Sequence, residues 1–279
     1  MADINQGKLR TANYLRLIGV TELPPSTSPF DPGYDPVTLD GHLAQSSHLV
    51  SMLKLSMACW LIADEDATRR KVASAVQHGV STVAGGGPFE IAVAQNRLAE
   101  YLELCADIGF TRVEAGAGFT NMALEPAQVV AMTRDRGLQV QFELGRKHDG
   151  AFTHAIVAGL VVDGHRWLEA GAEQLVIEAR ESAQGVGLFD QFGALNVAFA
   201  EQFIAAFGFA AVVFEAPNKA SQFALLNHFG PQVQLCNVRL EELLRVEIYR
   251  RGLHSDAFRN KKLRPSEMKG ASAAEESHS

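Results

Sequence analysis

The segment VQFELGRKHDGAFTHAIVAGLVVDGHRWLEAGAEQLVIEAR, residues 140–180, decides the fold. It opens on a short apolar run, Val140–Leu144, that reads as a buried strand. A longer stretch, Ala155–Glu169, has helical character and stops at Gly171. A second β-like run, Gln174–Ala179, follows. Two strands separated by a helix of that length cannot form a hairpin. They form a parallel pair joined by a crossover, the βαβ unit.

Outward from this unit the alternation continues in both directions. The expected strands are Leu15–Val20, Leu49–Leu55, Ser81–Ala84, Arg112–Ala115, Val140–Leu144, Gln174–Ala179, Val212–Ala216 and Gln234–Val238. The expected helices are Val37–Ser46, Asp64–His78, Phe89–Ile108, Pro126–Arg136, Ala155–Glu169, Asn196–Phe207, Ser221–Phe229 and Leu240–Arg251. In the third of these, Ile91, Ala94, Leu98, Tyr101, Leu102 and Cys105 fall on one stripe. Eight strand–helix units are the count of a closed (β/α)8 TIM barrel, a single α/β domain. An open doubly wound sheet competes, but it would carry a G-x-G-x-x-G or P-loop turn, and the chain has neither. The barrel is expected to span residues 1–258. Five prolines in 23–36 suggest a long ordered loop or lid, and 259–279 reads as a flexible tail.

Composition narrows the function. Hydrophobic residues make up 47% and charged residues 20%, a globular balance. The net charge of −7 divides into +2 from Arg259 onward and −9 before it, which argues against nucleic acid as a partner. Three scattered cysteines, Cys59, Cys105 and Cys236, suit a reducing cytoplasm better than a disulfide framework. No signal peptide and no run of about 18 apolar residues is visible, so no membrane role is expected.

Barrel chemistry lies at the carboxyl ends of the strands. There, four successive strands place a glutamate straight after an apolar residue: Val113-Glu114, Phe142-Glu143, Ile177-Glu178 and Phe214-Glu215. Strand alternation turns the apolar neighbour towards the helices and the glutamate into the mouth. Grouped buried carboxylates require protons, basic partners or a cation, and all-oxygen ligation suits Mg²⁺. The competing reading is a structural network with Lys54, Lys147 or Arg180. Lys54, Arg146, Lys147, Arg180 and Lys219 stand at the same rim, with Asn237 and Arg239 after strand eight and glycine-rich turns at 85–87 and 182–187. A metal held by acids beside bases that grip anions describes a site for a small anionic substrate. No H-E-x-x-H or G-x-S-x-G motif offers another chemistry.

Several stretches resemble one family, the phosphosulfolactate synthases. They are Gly86-Gly87-Pro88-Phe89-Glu90-Ile91-Ala92, Phe142-Glu143-Leu144-Gly145-Arg146-Lys147, Ile177-Glu178-Ala179-Arg180-Glu181-Ser182 with Gly185 and Gly187, and Phe214-Glu215-Ala216-Pro217-Asn218-Lys219. Phe229-Gly230-Pro231 and Asn237 extend the match, which runs from about Ser81 to Phe258. The resemblance implies a Mg²⁺-dependent barrel, tending to form homo-oligomers, that adds sulfite to phosphoenolpyruvate to give (2R)-phospho-3-sulfolactate. It further implies Lys147 as proton donor, with Arg180, oriented by Glu181, in the catalytic group. Metal ligation falls to Glu143, Glu178 and Glu215, and substrate binding to Lys54, Glu114, Ser182, Gly185, Gly187, Lys219 and Asn237. The first third departs from the pattern. The family's Asp-Lys-Gly turn after strand one is replaced by the proline-rich segment. Gly-Trp-Gly-Thr after the strand-two lysine becomes Leu55-Ser56-Met57-Ala58-Cys59-Trp60, and a polar turn after strand four becomes Ala115-Gly116-Ala117-Gly118. Another Mg²⁺-assisted reaction on a phosphorylated or carboxylic acid is the alternative, and a non-catalytic barrel a third reading.

Overall fold

Eight parallel strands close on themselves in chain order, each hydrogen-bonded to the next and the last to the first, in a computed structural model that describes residues 10–120 and 125–264. The strands are β1 Thr27–Asp31, β2 Leu53–Leu55, β3 Thr82–Ala84, β4 Arg112–Gly116, β5 Gln139–Leu144, β6 Gln174–Ile177, β7 Val212–Glu215 and β8 Gln234–Arg239. Around them run α1 Thr11–Leu17, α2 Pro36–Ser46, α3 Cys59–Ile62, α4 Glu65–Gln77, α5 Gly86–Ala94 and α6 Leu98–Ile108. The ring is completed by α7 Pro126–Arg134, α8 His154–Ala170, α9 Val197–Phe207, α10 Lys219–Phe229 and α11 Leu243–Arg250. The chain is a single-domain TIM barrel.

Alternation along the strands separates two apolar layers. Leu175, Ile177, Val212 and Phe214 face outward into the main core shared with the helices. Val176, Val213 and Cys236 face inward and form a second, enclosed cluster inside the barrel. Below that cluster the amino-terminal end is closed by polar side chains. Arg112 donates to Gln174 (2.8 Å) and Gln139 (2.9 Å), and Gln174 donates to Gln234 (2.8 Å). Above it lie the glutamates.

The first strand is not where the sequence pattern puts it. Leu15–Val20 belongs to α1 and its exit turn, and α1 buries none of its residues. The strand lies within the proline-rich segment, so 23–36 is not simply a loop or lid. Pro29 is accommodated because the β1–β8 register shifts between Ser28 and Pro29, a bulge at which its missing N–H is not required. Pro36 sits in the first turn of α2, capped by Asp35, where proline is well tolerated. With β1 placed here, the turn after it is Asp31-Pro32-Gly33. The family's Asp-x-Gly is therefore kept, with proline at the lysine position. Asp31 is fully buried, paired with Lys71 of α4 at 2.8 Å, and accepts from the Gly33 and Tyr34 N–H groups.

Two further expectations change. The helix expected over Phe89–Ile108 is two helices, broken at Gln95-Asn96-Arg97, where Asn96 takes a left-handed φ of 54°. The tail expected from 259 packs against the barrel through its first residues, because Leu263 is buried and Arg264 donates to the Ile18 carbonyl at 2.6 Å. Residues 265–279 lie outside the described part.

The barrel closes where β1 meets β8. Arg250 of α11 is fully buried there and donates to the carbonyls of Pro231, Val233 and Ser26, to the Thr27 hydroxyl, and to Glu247. Glu247 accepts from Thr27 Oγ1 at 2.6 Å.

Candidate active site

The four glutamates do not share one hydrogen-bonding register. Glu114 pairs with Gln141, two residues before Glu143, and Glu143 pairs with Val176, two before Glu178. This stagger is the shear of a tilted barrel, and it brings residues offset along the strands to a similar height. All four are buried. Ligand atoms of Glu143, Glu178 and Glu215 lie within 4.8 Å of one another, the three carboxylates converging at the mouth.

Glu114 stands apart because its oxygens are committed. It pairs with Lys54 at 2.6 Å and accepts from Gln141 Nε2 (2.8 Å) and the Gly86 N–H (3.1 Å). Lys54 in turn donates to Asn237 Oδ1 at 3.1 Å, and Asn237 Nδ2 donates to Glu215. Asn237 sits within β8 at φ 53°, a conformation asparagine tolerates better than most residues. On the opposite side Lys147 bridges Glu143 (3.0 Å) and Glu178 (3.3 Å). Glu215 also accepts from the Ala179 N–H at 2.8 Å and the Arg180 N–H at 3.0 Å.

The electrostatics follow from this crowding. Burial, and then the neighbouring Glu178 carboxylate, push Glu143 up to about 8. Burial raises Glu178 and Glu215 too, each with help from a neighbouring glutamate. Burial works against the charge on Glu114, yet Lys54 holds that carboxyl below its ordinary range. Burial likewise opposes the charge on Lys147, but Glu143 and Glu178 hold it above an ordinary lysine, so it is an ammonium at neutral pH.

These groups open into a cavity of about 590 Å³. Lys54, Lys147, Arg180 and Arg239 face Glu114, Glu143, Glu178, Glu181 and Glu215 across it. Arg180 lines it, but not by strand alternation. The chain leaves β6 at Ile177, and Arg180 takes a left-handed φ of 54°. Its guanidinium is oriented by the Lys147 carbonyl at 3.0 Å and His148 Nδ1 at 3.4 Å, not by Glu181, which stays exposed at the rim.

Ser182 and Gly185 line a neighbouring recess of about 370 Å³ beside Arg180 and His148. Gly187 meets a need of the backbone. At φ 58°, a Cβ there would stand 2.0 Å from the Glu178 carbonyl oxygen. Lys219 is outside the cavity, exposed beside Asp256 (4.0 Å) and over the Phe223 ring (5.1 Å).

A model of the (2R)-phospho-3-sulfolactate synthase (ComA) family matches residues 23–256. The chain belongs to the phosphosulfolactate synthase family. It is 29% identical to the phosphosulfolactate synthase of Methanocaldococcus jannaschii over 82% of this chain and 91% of that protein. It is 28% identical to that of Methanothermobacter thermautotrophicus (83% and 90%) and 27% identical to that of Bacillus subtilis (82% and 90%). Among solved structures, KGPDC from Streptococcus mutans aligns with a TM-score of 0.51 at 11% identity, over 85% of this chain and 99% of that one, a likeness of fold alone. No helix among the described residues is long and apolar enough to cross a membrane.

One residue of this phosphosulfolactate synthase site escapes sequence reasoning. Glu90 of α5 is buried, and its Oε2 accepts from the Phe119 and Thr120 N–H groups (2.9 and 3.1 Å) and from the Thr120 hydroxyl (3.2 Å). It thereby clamps the loop after β4, whose Gly118 carbonyl accepts from the Lys147 N–H at 2.9 Å. A Cβ on Gly118 would lie 3.1 Å from Lys147 Cε, so the glycine lets the lysine stem lie flat against the loop. The available signal was a lone acid in the otherwise apolar run Phe89-Glu90-Ile91-Ala92-Val93.

Proposed function

We propose that this chain catalyses the addition of sulfite to phosphoenolpyruvate, forming (2R)-phospho-3-sulfolactate, with Mg²⁺ held by Glu143, Glu178 and Glu215. The observation that carries this is the convergence of three buried carboxylates opposite the Lys147 ammonium. The donor set fits a hard divalent cation. It offers oxygen atoms only, at a spacing one ion can bridge, on carboxyls whose burial and mutual repulsion raise their pKa values. Mg²⁺ bound there would stabilise negative charge developing on the substrate carboxylate.

The chain's own residues supply the rest. The sulfur lone pair of sulfite attacks the methylene carbon, C3. The C2–C3 π pair moves towards C2 and the carboxylate, and Lys147 Nζ delivers a proton to C2 from one face, which fixes the configuration. Arg180 carries no carboxylate partner among the described residues, so its planar fork is available for the phosphate. Lys54, held by Glu114 and Asn237, keeps Glu215 and Asn237 in place and adds positive potential beneath the substrate. Three free cysteines support a cytoplasmic setting for this reaction.

Incubating the purified protein with Mg²⁺, sulfite and phosphoenolpyruvate should give a phosphorylated sulfonate, detectable by phosphorus NMR and mass spectrometry. Absence of that product would reject the assignment. Lys147→Ala should lower kcat by at least about 10²-fold, within the range for loss of a general acid.

A further inference from the structure

The cavity is divided. Every charged group on it except Lys54, Glu114 and Arg239 comes from β5 to β7 and the turns after them. On the side of β1 to β3 the lining is Phe30, Pro32, Met57, Ala58, Pro88 and Ile91, with Ser56, Gly86, Gly87 and a single charged side chain, Lys54. Met57 and Ile91 are 58% and 53% exposed, an apolar lining left open to water. Ala58, Pro88 and Ile91 also form the near wall of a second hollow, an apolar groove of about 430 Å³ between α3, α5 and α6 that continues past Leu61 and Leu104. Ala58, Pro88 and Ile91 thus stand between the two spaces, and each presents a face to both.

Phosphoenolpyruvate has one methylene as its apolar part and sulfite has none, so together they leave most of this apolar lining uncovered. A cavity near 600 Å³ is of the size that holds a drug-sized ligand, since such pockets run from about 300 to 1,000 Å³. We propose that the preferred acceptor is an enol phosphate longer than phosphoenolpyruvate, carrying an apolar alkyl substituent on C3. That substituent lies within the cavity over Met57, Pro88 and Ile91. The inference rests on the enol-phosphate reading of the site given above. Atoms balance as for the parent reaction. The S–C3 bond forms, the C2–C3 π bond is lost, and C2 takes its proton from Lys147. The product is the 3-alkyl homologue of phosphosulfolactate, and the phosphate stays attached.

The test measures binding of phosphoenolpyruvate and of its 3-isopropyl homologue by calorimetry in Mg²⁺ without sulfite, so that it does not depend on turnover. The homologue should bind at least about tenfold tighter, the low end of what added methylenes contribute in an apolar pocket. It should also show the more negative heat-capacity change of apolar burial. Ile91→Asp, at a position exposed enough to tolerate the change, should bring the ratio of the two affinities close to one. Equal or weaker binding of the homologue overturns the proposal, as does a ratio that survives Ile91→Asp. A dimer that Leu61→Asp dissociates, with no gain for the homologue, would assign the groove to a second copy of the chain and also overturn it. Tighter binding of the homologue without reaction of either acceptor with sulfite would support this inference and reject the sulfite reaction.

Discussion

Glu143 is a carboxyl whose surroundings favour its proton up to about pH 8, against about 4.3 for an unburied glutamate. A folded-state pKa raised in this way makes a contribution to stability that is complete below the unfolded value and lost as pH rises through the folded one. Without metal, the protein should therefore melt at a progressively lower temperature between about pH 5 and 8. Glu143→Gln should flatten that slope, and millimolar Mg²⁺ should raise the melting temperature most at the alkaline end. A thermal melt with no response to Mg²⁺ at pH 8 would count against the three-carboxylate site. Glu90 is read through another effect, since removing it frees a loop and leaves its donors unpaired. Glu90→Ala should lower kcat about tenfold with little change in KM, whereas Glu90→Gln, which keeps one acceptor oxygen, should recover most of the loss. Equal losses in both variants would show that the charge matters and the clamp does not. The four glutamates are legible because each follows an apolar strand residue at a fixed position, and Lys147 because its stretch resembles the family's. Glu90 was not, because its partners are backbone N–H groups some thirty residues away.

At the scale of elements, what could be read locally was read well, and what depended on distant pairing was not. The strands from β2 to β8 announce themselves by short apolar runs. β1 does not, because its middle residue is Pro29 and only the bulge against β8 makes room for it. α1 has the sequence pattern of a strand because Leu15, Leu17 and Ile18 form an apolar run, while the helix Thr11–Leu17 buries none of its residues. The glycine-rich turn after β6 is a different lesson. It resembles an anion cradle, but at Gly187 the need is a close approach of backbone to the Glu178 carbonyl. Gly187→Ala combines a positive φ with an impossible contact and should destabilise by about 3 kcal/mol or more. For a chain of this size that is a fall in melting temperature of about 6–12 °C. Arg180→Gly, by contrast, relaxes a left-handed backbone. It should leave the melting temperature nearly unchanged while raising KM for the phosphorylated substrate.

For the whole molecule, composition sets the class, a globular acidic chain, but the overall charge points away from an anionic ligand. Only the placement of four acids among the interior positions reverses that reading. The closure of the barrel was equally hidden, since it depends on Arg250 and Glu247 meeting Thr27 across 220 residues or more of sequence. Arg250→Met leaves Glu247 with Arg251 as its remaining cation and should cost about 3–5 kcal/mol, seen as a lower denaturant midpoint. That same contact has a consequence for how the protein is made. During synthesis β1 emerges early and must wait for nearly the entire chain before its second neighbour exists. Until α11 has left the ribosome, one face of β1 is an open strand edge, ready to pair with another nascent chain. A polypeptide stalled short of Arg250 should accumulate as an aggregate, and the finished chain should become protease-resistant in one late step.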